Sequence, residues 1–373
     1  MILYSAIAAI TILVACQINN HPVKIDIGIT RQQALNKVYL TVIFSILFLL
    51  AALRLEVGND YWTYVVTCHE IAENGYVVTE PGYNFVVKAL YLISGKEDYL
   101  LMFAVFAFAT TFIFMKSIYN QADNFALGFF LFIALGIYFR SFNTVRYYFA
   151  LAITLYSFRY VLKKEYIKFI ILILFAALFH KSVLVVIPLY IIANRTLKKW
   201  QIMIFALVCA SFLVGKDFYM QIALKLYPSY QNTPYLNETG GITDNIFSII
   251  RCVAVLVLCF ICYKETIKDS KENIFYFNLN LMAIALYTCC SFIPLLSRFG
   301  YYLVTSHILL IPNVICRVED KKKKRIILIF TVFIAIMYFL LFLKTASADG
   351  IRVLPYKSWL FYEREWFNAT KIF

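Results

Sequence analysis

The stretch Lys321 to Leu343 reads KKKKRIILIFTVFIAIMYFLLFL: five cations, then eighteen residues without a formal charge. At about 1.5 Å per residue such a helix nearly crosses the roughly 30 Å hydrocarbon core of a bilayer. The five cations mark the end that stays on the cytoplasmic side. Working outward, Val38–Leu53, Tyr99–Met115 and Ile274–Pro294 are runs of the same kind. The 373-residue chain is 62% hydrophobic and 18% aromatic, with a mean hydropathy of +0.75. A soluble domain averages nearer 45–50% apolar and cannot hide that much apolar surface.

The net charge of +14 does not point to nucleic acid, because the cations lie in short connectors between apolar runs. Their first meaning is topology. Twelve spans are expected, at about 2–18, 38–53, 99–118, 125–139, 147–162, 166–179, 183–193, 200–214, 246–263, 274–294, 301–316 and 326–343. The odd-numbered connectors then hold 20 of the 35 Lys and Arg but only 8 of the 21 acids. The other connectors and the ends are nearly balanced, so both termini are expected on the outer side. Ile2–Ile18 has no basic n-region and no A-x-A-like cleavage site, and reads as a retained helix. The fold class expected is therefore all-α: a polytopic integral membrane protein of about twelve transmembrane helices, one membrane domain over residues 1–373. An outer loop 54–98, an outer loop 215–245 and the tail 344–373 form its extracytoplasmic face.

Two regions break the pattern. Tyr166–Ile192 is interrupted by Phe179-His180-Lys181-Ser182, and Phe125–Leu162 by Arg140 and Arg146. Two full spans need about 40 residues, so these helices are short or their turns dip below the surface. A charge at such depth costs roughly 2.5–3.5 kcal/mol unless it faces a wet cavity or a partner. Of the nine cysteines only Cys68 falls in a polar loop, and no disulfide framework follows from an odd count inside apolar runs. Cys259-x-x-Cys262 lies within a span and reads as packing.

The stretch Arg54 to Gly82 carries Arg54, Glu56, Asp60, Glu70, Glu73 and Glu80 in a chain poor in acids. Gly58 and Pro81-Gly82 supply turn chemistry that aims those carboxylates. With Arg140, Arg146, His180, Lys181, Arg251 and Arg298 they form a set on the outward side of the expected topology. Any one of these arginines alone reads as well as a snorkelling anchor. Together they suggest a site for an anionic ligand, since guanidinium binds phosphate oxygens bidentately and stays charged. The outer aromatics Tyr61, Trp62, Tyr64, Tyr76, Tyr83, Tyr227, Tyr230, Tyr235, Tyr356, Trp359, Phe361, Tyr362 and Trp366 read mostly as an interfacial belt, with a few available to stack on sugar faces.

Arg54-x-x-x-Gly58-x-Asp60-Tyr61-x-x-Tyr64 followed by Glu80-Pro81-Gly82-Tyr83 resembles the first outer loop of the EpsG-like branch of Wzy-type polysaccharide polymerases. Val145-Arg146-Tyr147-Tyr148-Phe149-Ala150 is similar to that family's Arg-Gln-x-x-Ala helix, with Tyr147 in place of Gln. Phe179-His180-Lys181-Ser182 resembles its His-x-Ser turn, Arg298-x-x-Tyr301 its late arginine, and Val353-Leu354-Pro355-Tyr356-Lys357 its tail. The resemblance implies a GT-C-like polymerase in the bacterial inner membrane, with its active site on the periplasmic side. Such enzymes move a growing glycan from undecaprenyl pyrophosphate onto the next lipid-linked repeat unit, making O-antigen, capsule or exopolysaccharide. A chain-length regulator and a flippase are the partners it implies.

On that reading Arg146 and Arg298, with Arg54 or Arg140 in support and Tyr301 beside them, bind the pyrophosphate and glycan. Glu80, Asp60 and His180 are the candidates to take the acceptor proton, unranked because sequence gives no distances. No cofactor is expected, and no metal, because few oxygen ligands converge. An O-antigen ligase, a lipid-linked oligosaccharide flippase and a membrane-bound O-acyltransferase remain as alternatives.

Overall fold

The structure, a computed structural model, describes residues 1–21, 30–196, 198–226, 245–293, 296–348 and 350–361. Tyr227, Tyr230, Tyr235, Tyr362 and Trp366 lie outside these. Among the described residues the fold is all-helical, apart from an isolated antiparallel bridge between Arg54 and Ser358. In order the helices are α1 (Ile2–Ala15), α2 (Arg31–Ala52), α3 (Tyr61–Ala72), α4 (Pro81–Ser94), α5 (Tyr99–Gln121), α6 (Phe125–Ala134), α7 (Ile137–Arg140), α8 (Val145–Leu162) and α9 (Tyr166–Ala177). After a 3₁₀ turn at Lys181–Val185 come α10 (Val186–Ala193), α11 (Lys199–Val214), α12 (Lys216–Leu226) and α13 (Ile246–Ile261). A π-helical turn at Tyr263–Ile267 precedes α14 (Lys271–Cys289), α15 (Leu296–Val304), α16 (His307–Arg317) and α17 (Lys321–Thr345).

The starts of these helices are written locally. Thr30 and Gln33 form a reciprocal capping box on α2. Asp98, Asn124, Ser270 and Asp320 each accept a backbone N–H with the side chain at the N-cap of α5, α6, α14 and α17.

Each of the twelve expected spans coincides with helix, but the count of twelve full crossings is not reproduced. Among the described residues four helices are long and apolar enough to cross a membrane: Arg31–Ala52, Tyr99–Gln121, Arg298–Arg317 and Lys321–Thr345, with α15 and α16 taken as one. A fifth is added if Trp200–Val214 and Lys216–Ile222, bent by 90°, count as one span. Of the remaining described helices, α8 and α14 have 18 and 19 residues but do not combine that length with enough apolar character; the rest are shorter. Gly136, at φ 71°, breaks the expected span 125–139 into α6 and α7. The interrupted stretch after Tyr166 yields α9 with 12 residues and α10 with 8, about 18 and 12 Å long.

The stretch 54–98, expected as an outer loop, is not an irregular connector. It folds as a hairpin of α3 and α4. On α3, Tyr61, Tyr64, Val65, Cys68 and Ile71 are buried, at helical spacing. Burial pushes the Cys68 thiol up to about 12, so it carries no thiolate at neutral pH.

The chain divides into two compact units interleaved in sequence. The first comprises Met1–Tyr156, Ile171–Lys181 and Asp320–Phe373, the second Ser157–Ile170 and Ser182–Glu319. In the first, α2 packs on α1 and α5, α6 packs on α1 and α17, and α3 and α4 pack on each other and on α5. In the second, α14 is central, touching α10, α11, α13, α15 and α16.

Candidate functional site

Glu80 sits where local chemistry puts it. Preceding a proline it is held extended, at φ −68° and ψ 147°, at the N-cap position of α4 with Pro81 in the first turn, its side chain making no capping bond. Gly82 then donates its N–H to the Leu178 carbonyl at 2.8 Å. A Cβ on Gly82 would lie 2.7 Å from Leu178 Cβ and 2.8 Å from its oxygen, so only glycine lets the turn after α9 come this close. That approach carries Lys181 to Glu80: the Lys181 N–H donates to Glu80 Oε1 at 3.2 Å.

The other carboxylate oxygen, Oε2, pairs with Nη1 of Arg146. Arg146 opens α8, where its backbone N–H donates to the Tyr64 hydroxyl at 3.3 Å. Its guanidinium carbon lies 5.3 Å from the Tyr83 ring centre and 5.8 Å from that of Tyr64, within cation–π range. The Arg146 and Glu80 side chains are 22% and 14% exposed, and Arg146 Nε is buried without a hydrogen-bond partner. Arg54 Nε is buried in the same way, so this feature alone does not distinguish the two arginines. His180 lies at the same turn, its ring edge-on to Tyr147 with centres 5.2 Å apart. Phe179 behind it packs on Phe106 and Phe149. Glu80, Arg146, His180 and Lys181 therefore come together in the first unit. Both oxygens of Glu80 are engaged, so the carboxylate holds Arg146 in place as it stands.

Arg54 and Asp60 belong to a different arrangement. Arg54 is 2% exposed, with its guanidinium 4.6 Å from the Phe103 ring and 5.3 Å from Phe142 and a hydrogen bond to the Ala51 carbonyl. Burial pulls its guanidinium down to about 10, still charged at neutral pH. It lies under a strap made by the tail. Leu55 N–H donates to Lys357 O at 2.9 Å, Gly58 N–H to Arg352 O at 2.8 Å, and Trp359 N–H to Leu53 O at 3.1 Å. Lys357 pairs with Glu56 at 2.6 Å, and Tyr4 and Tyr356 reach the Val353 and Leu50 carbonyls. The geometry makes Arg54 a buried pin for this strap. Asp60 starts α3 without capping it, and its backbone N–H donates to Asn143 Oδ1 at 2.9 Å. Arg140, at the end of α7, lies 5.3 Å from the Phe342 ring.

Arg251, Arg298 and Tyr301 are in the second unit, with the Arg251 guanidinium 6.0 Å from the Tyr301 ring. Two residues there escaped the sequence reading. His307 is wholly buried, its Nε2 2.8 Å from Asn280 Oδ1, and Asn280 Nδ2 donates to the Cys252 carbonyl at 3.0 Å. The available signal was a histidine and an asparagine inside apolar runs. The first-loop aromatics divide: Tyr61, Tyr64 and Tyr83 are buried, while Tyr76 is 89% exposed. Among the described residues no three His, Cys, Asp or Glu side chains cluster as metal ligands.

No curated protein and no solved structure matches this chain. The EpsG family model does match, over residues 37–358. That span runs from within α2 to the end of the tail strap and takes in both Glu80 with Arg146 and Arg54 with its cover. By a match over most of its length, and with these motif residues brought into contact, the chain belongs to the EpsG family.

Proposed function

We propose that this chain is a polysaccharide polymerase, a glycosyltransferase that moves a growing glycan from undecaprenyl pyrophosphate onto the next lipid-linked repeat unit. Membership of the EpsG family supports a polysaccharide-polymerase-type role. The observation that carries the finer reading is the half-open guanidinium of Arg146, oriented by Glu80 and framed by Tyr64 and Tyr83. In the reaction the acceptor hydroxyl oxygen forms a bond to the donor's anomeric carbon as the bond from that carbon to pyrophosphate breaks. The electron pair leaves with the pyrophosphate, which Arg146 steadies, and the hydroxyl proton passes to Asp60, Glu80 or His180. Arg298 and Tyr301, in the second unit, are proposed as pyrophosphate and glycan ligands on the resemblance alone. No cofactor is needed, because the donor already carries its leaving group.

Deleting the gene in its host tests this by a gel of the surface glycans. Loss of polymer with survival of single repeat units is expected. Polymer that persists on its lipid but is no longer attached would instead mean a ligase. In the same host, Glu80→Gln should reduce polymer at least tenfold, because it weakens the charged grip on Arg146. Glu73→Gln should do little, since that side chain is 67% exposed and its ion-pair partner is His69, one helical turn away. Equal tolerance of the two changes would take the Glu80–Arg146 pair out of the reaction.

The proposed orientation is that of an inner-membrane protein with its site on the periplasmic side. Reporter fusions at Asn74 and Gln231 should report outside, those at Lys199 and Lys322 inside. Gln231 lies outside the described residues. A periplasm-active reporter working at Lys322 would overturn the orientation.

A further inference from the structure

Helix α4 is two-faced. Tyr83 and Val87, one turn apart, are buried on it and face α3 and α5, the elements it packs on. Tyr83 meets Tyr64 of α3 and Phe106 of α5. The opposite face carries Phe85, Ala89, Leu92 and Ile93 at positions i, i+4, i+7 and i+8, one stripe of a helix. Phe85 is 73% exposed, Leu92 79% and Ile93 80%. Those are large side chains to leave in water on so short an element: full burial of each is worth roughly 1.5–3 kcal/mol.

Three observations say what covers this stripe. The first is the neighbour. α4 packs on α5, which is long and apolar enough to cross a membrane; α5 leaves Phe108 and Phe112 half exposed beside Phe44 of α2. The second is length. α4 has 14 residues, about 21 Å, too short to cross about 30 Å of hydrocarbon. It is bounded at both ends, by Pro81 in its first turn and by Gly95 in the left-handed conformation. The third is composition. The helix contains no carboxylate; its one charge is Lys88, exposed like Tyr91 on the stripe's flank. Lysine and tyrosine beside an apolar stripe are the residues of a helix lying in a lipid–water interface, where anionic headgroups attract the cation.

We propose that α4 is an interfacial helix, lying in the plane of the membrane with Phe85, Leu92 and Ile93 among the acyl chains and headgroups. This deepens the polymerase reading and rests on it only for the identity of the leaflet. Glu80 immediately precedes this helix, so the interface sets the depth of the Glu80–Arg146 pair. That depth is the headgroup level, where the phosphates of a lipid-linked sugar also sit. The helix thus acts as a float that holds the cationic site against the plane in which its anionic ligand diffuses.

The test uses the full-length protein in vesicles of phosphatidylethanolamine and phosphatidylglycerol. The photo-crosslinking residue p-benzoylphenylalanine is introduced at Phe85 or Leu92, with Phe108 of α5 as the lipid-facing control and Glu73 as the aqueous one. Irradiation should add the mass of one phospholipid at Phe85, Leu92 and Phe108 and none at Glu73. A lipid adduct at Phe108 without one at Phe85 or Leu92 would overturn the proposal by placing α4 in water. A protein–protein cross-link at Leu92 would overturn it too, in favour of a second copy of the chain. Neither outcome depends on polymer being made, so failure here is separable from failure of the polymerase reading.

Discussion

Arg146→Lys is expected to lower polymer about a hundredfold while the protein remains in the membrane at its normal level. Lysine keeps the positive charge, can still pair with Glu80, and obeys the same topology rule. If Arg146 were only an anchor, lysine would serve as well. What lysine lacks is the planar fork and the third nitrogen, Nε, which the fold buries without a partner. It also hydrates more strongly than a guanidinium lying 5.3 and 5.8 Å from the Tyr83 and Tyr64 rings. Loss of one bidentate contact to a departing pyrophosphate costs about 3 kcal/mol, which is the hundredfold. Membrane level by immunoblot and glycan laddering in a deletion host measure the two quantities separately. A full-length ladder from the lysine variant would move the donor site away from Arg146.

Gly58→Ala should fail differently, by loss of folded protein. Gly58 has φ +105°, a backbone region that costs other residues about 1–3 kcal/mol. A Cβ there would sit 2.5 Å from the Phe142 carbonyl oxygen and 3.1 Å from the Asn143 Cα. Both are backbone atoms, so relief requires the α7–α8 turn to move, another 1–3 kcal/mol or so. The same residue donates to Arg352 of the tail strap, so any shift loosens the cover over Arg54, a charge that is costly to leave poorly enclosed. A total of about 3 kcal/mol would lower the amount of folded protein in the membrane at least tenfold, with polymer falling in proportion. Gly95→Ala is the control. Its φ is +66° but nothing lies within 4 Å of the added Cβ, so it should cost about 1 kcal/mol. Normal levels of the Gly58 variant would mean that the strap is not needed for folding.

Between them these substitutions separate two groups of motif residues that look alike in sequence. Arg54 and Arg146 are both arginines beside apolar runs, and sequence offered both as anion ligands. The fold buries the first at 2% exposure under the tail and leaves the second 22% exposed beside a carboxylate. Burial depends on what lies across the chain, and no local pattern reports it. Tyr64 and Tyr83 show the same limit: read as belt or sugar-stacking residues, they are buried beside the Arg146 guanidinium.

Sequence by itself determined the membrane class, the helical positions and the direction of Glu80. Hydrophobic runs, caps and a pre-proline backbone are properties of a few neighbouring residues. The periodicity of Tyr61, Tyr64, Val65, Cys68 and Ile71 was there too, hidden by the acids around it, and a search for helical spacing would have turned the outer loop into α3. Tertiary structure alone decided which charges meet. Arg146 reaches Glu80 across 66 residues and Lys181 reaches it across 101, while Lys357 finds Glu56 across 301. Tertiary structure also decided how many helices are long enough to cross, because Gly136 breaks the run 125–139, which composition alone reads as continuous; the break after α9 was already legible at Phe179-His180-Lys181-Ser182. Pairings over such separations are chosen by packing of whole helices, a non-local sum that no single window of the sequence contains.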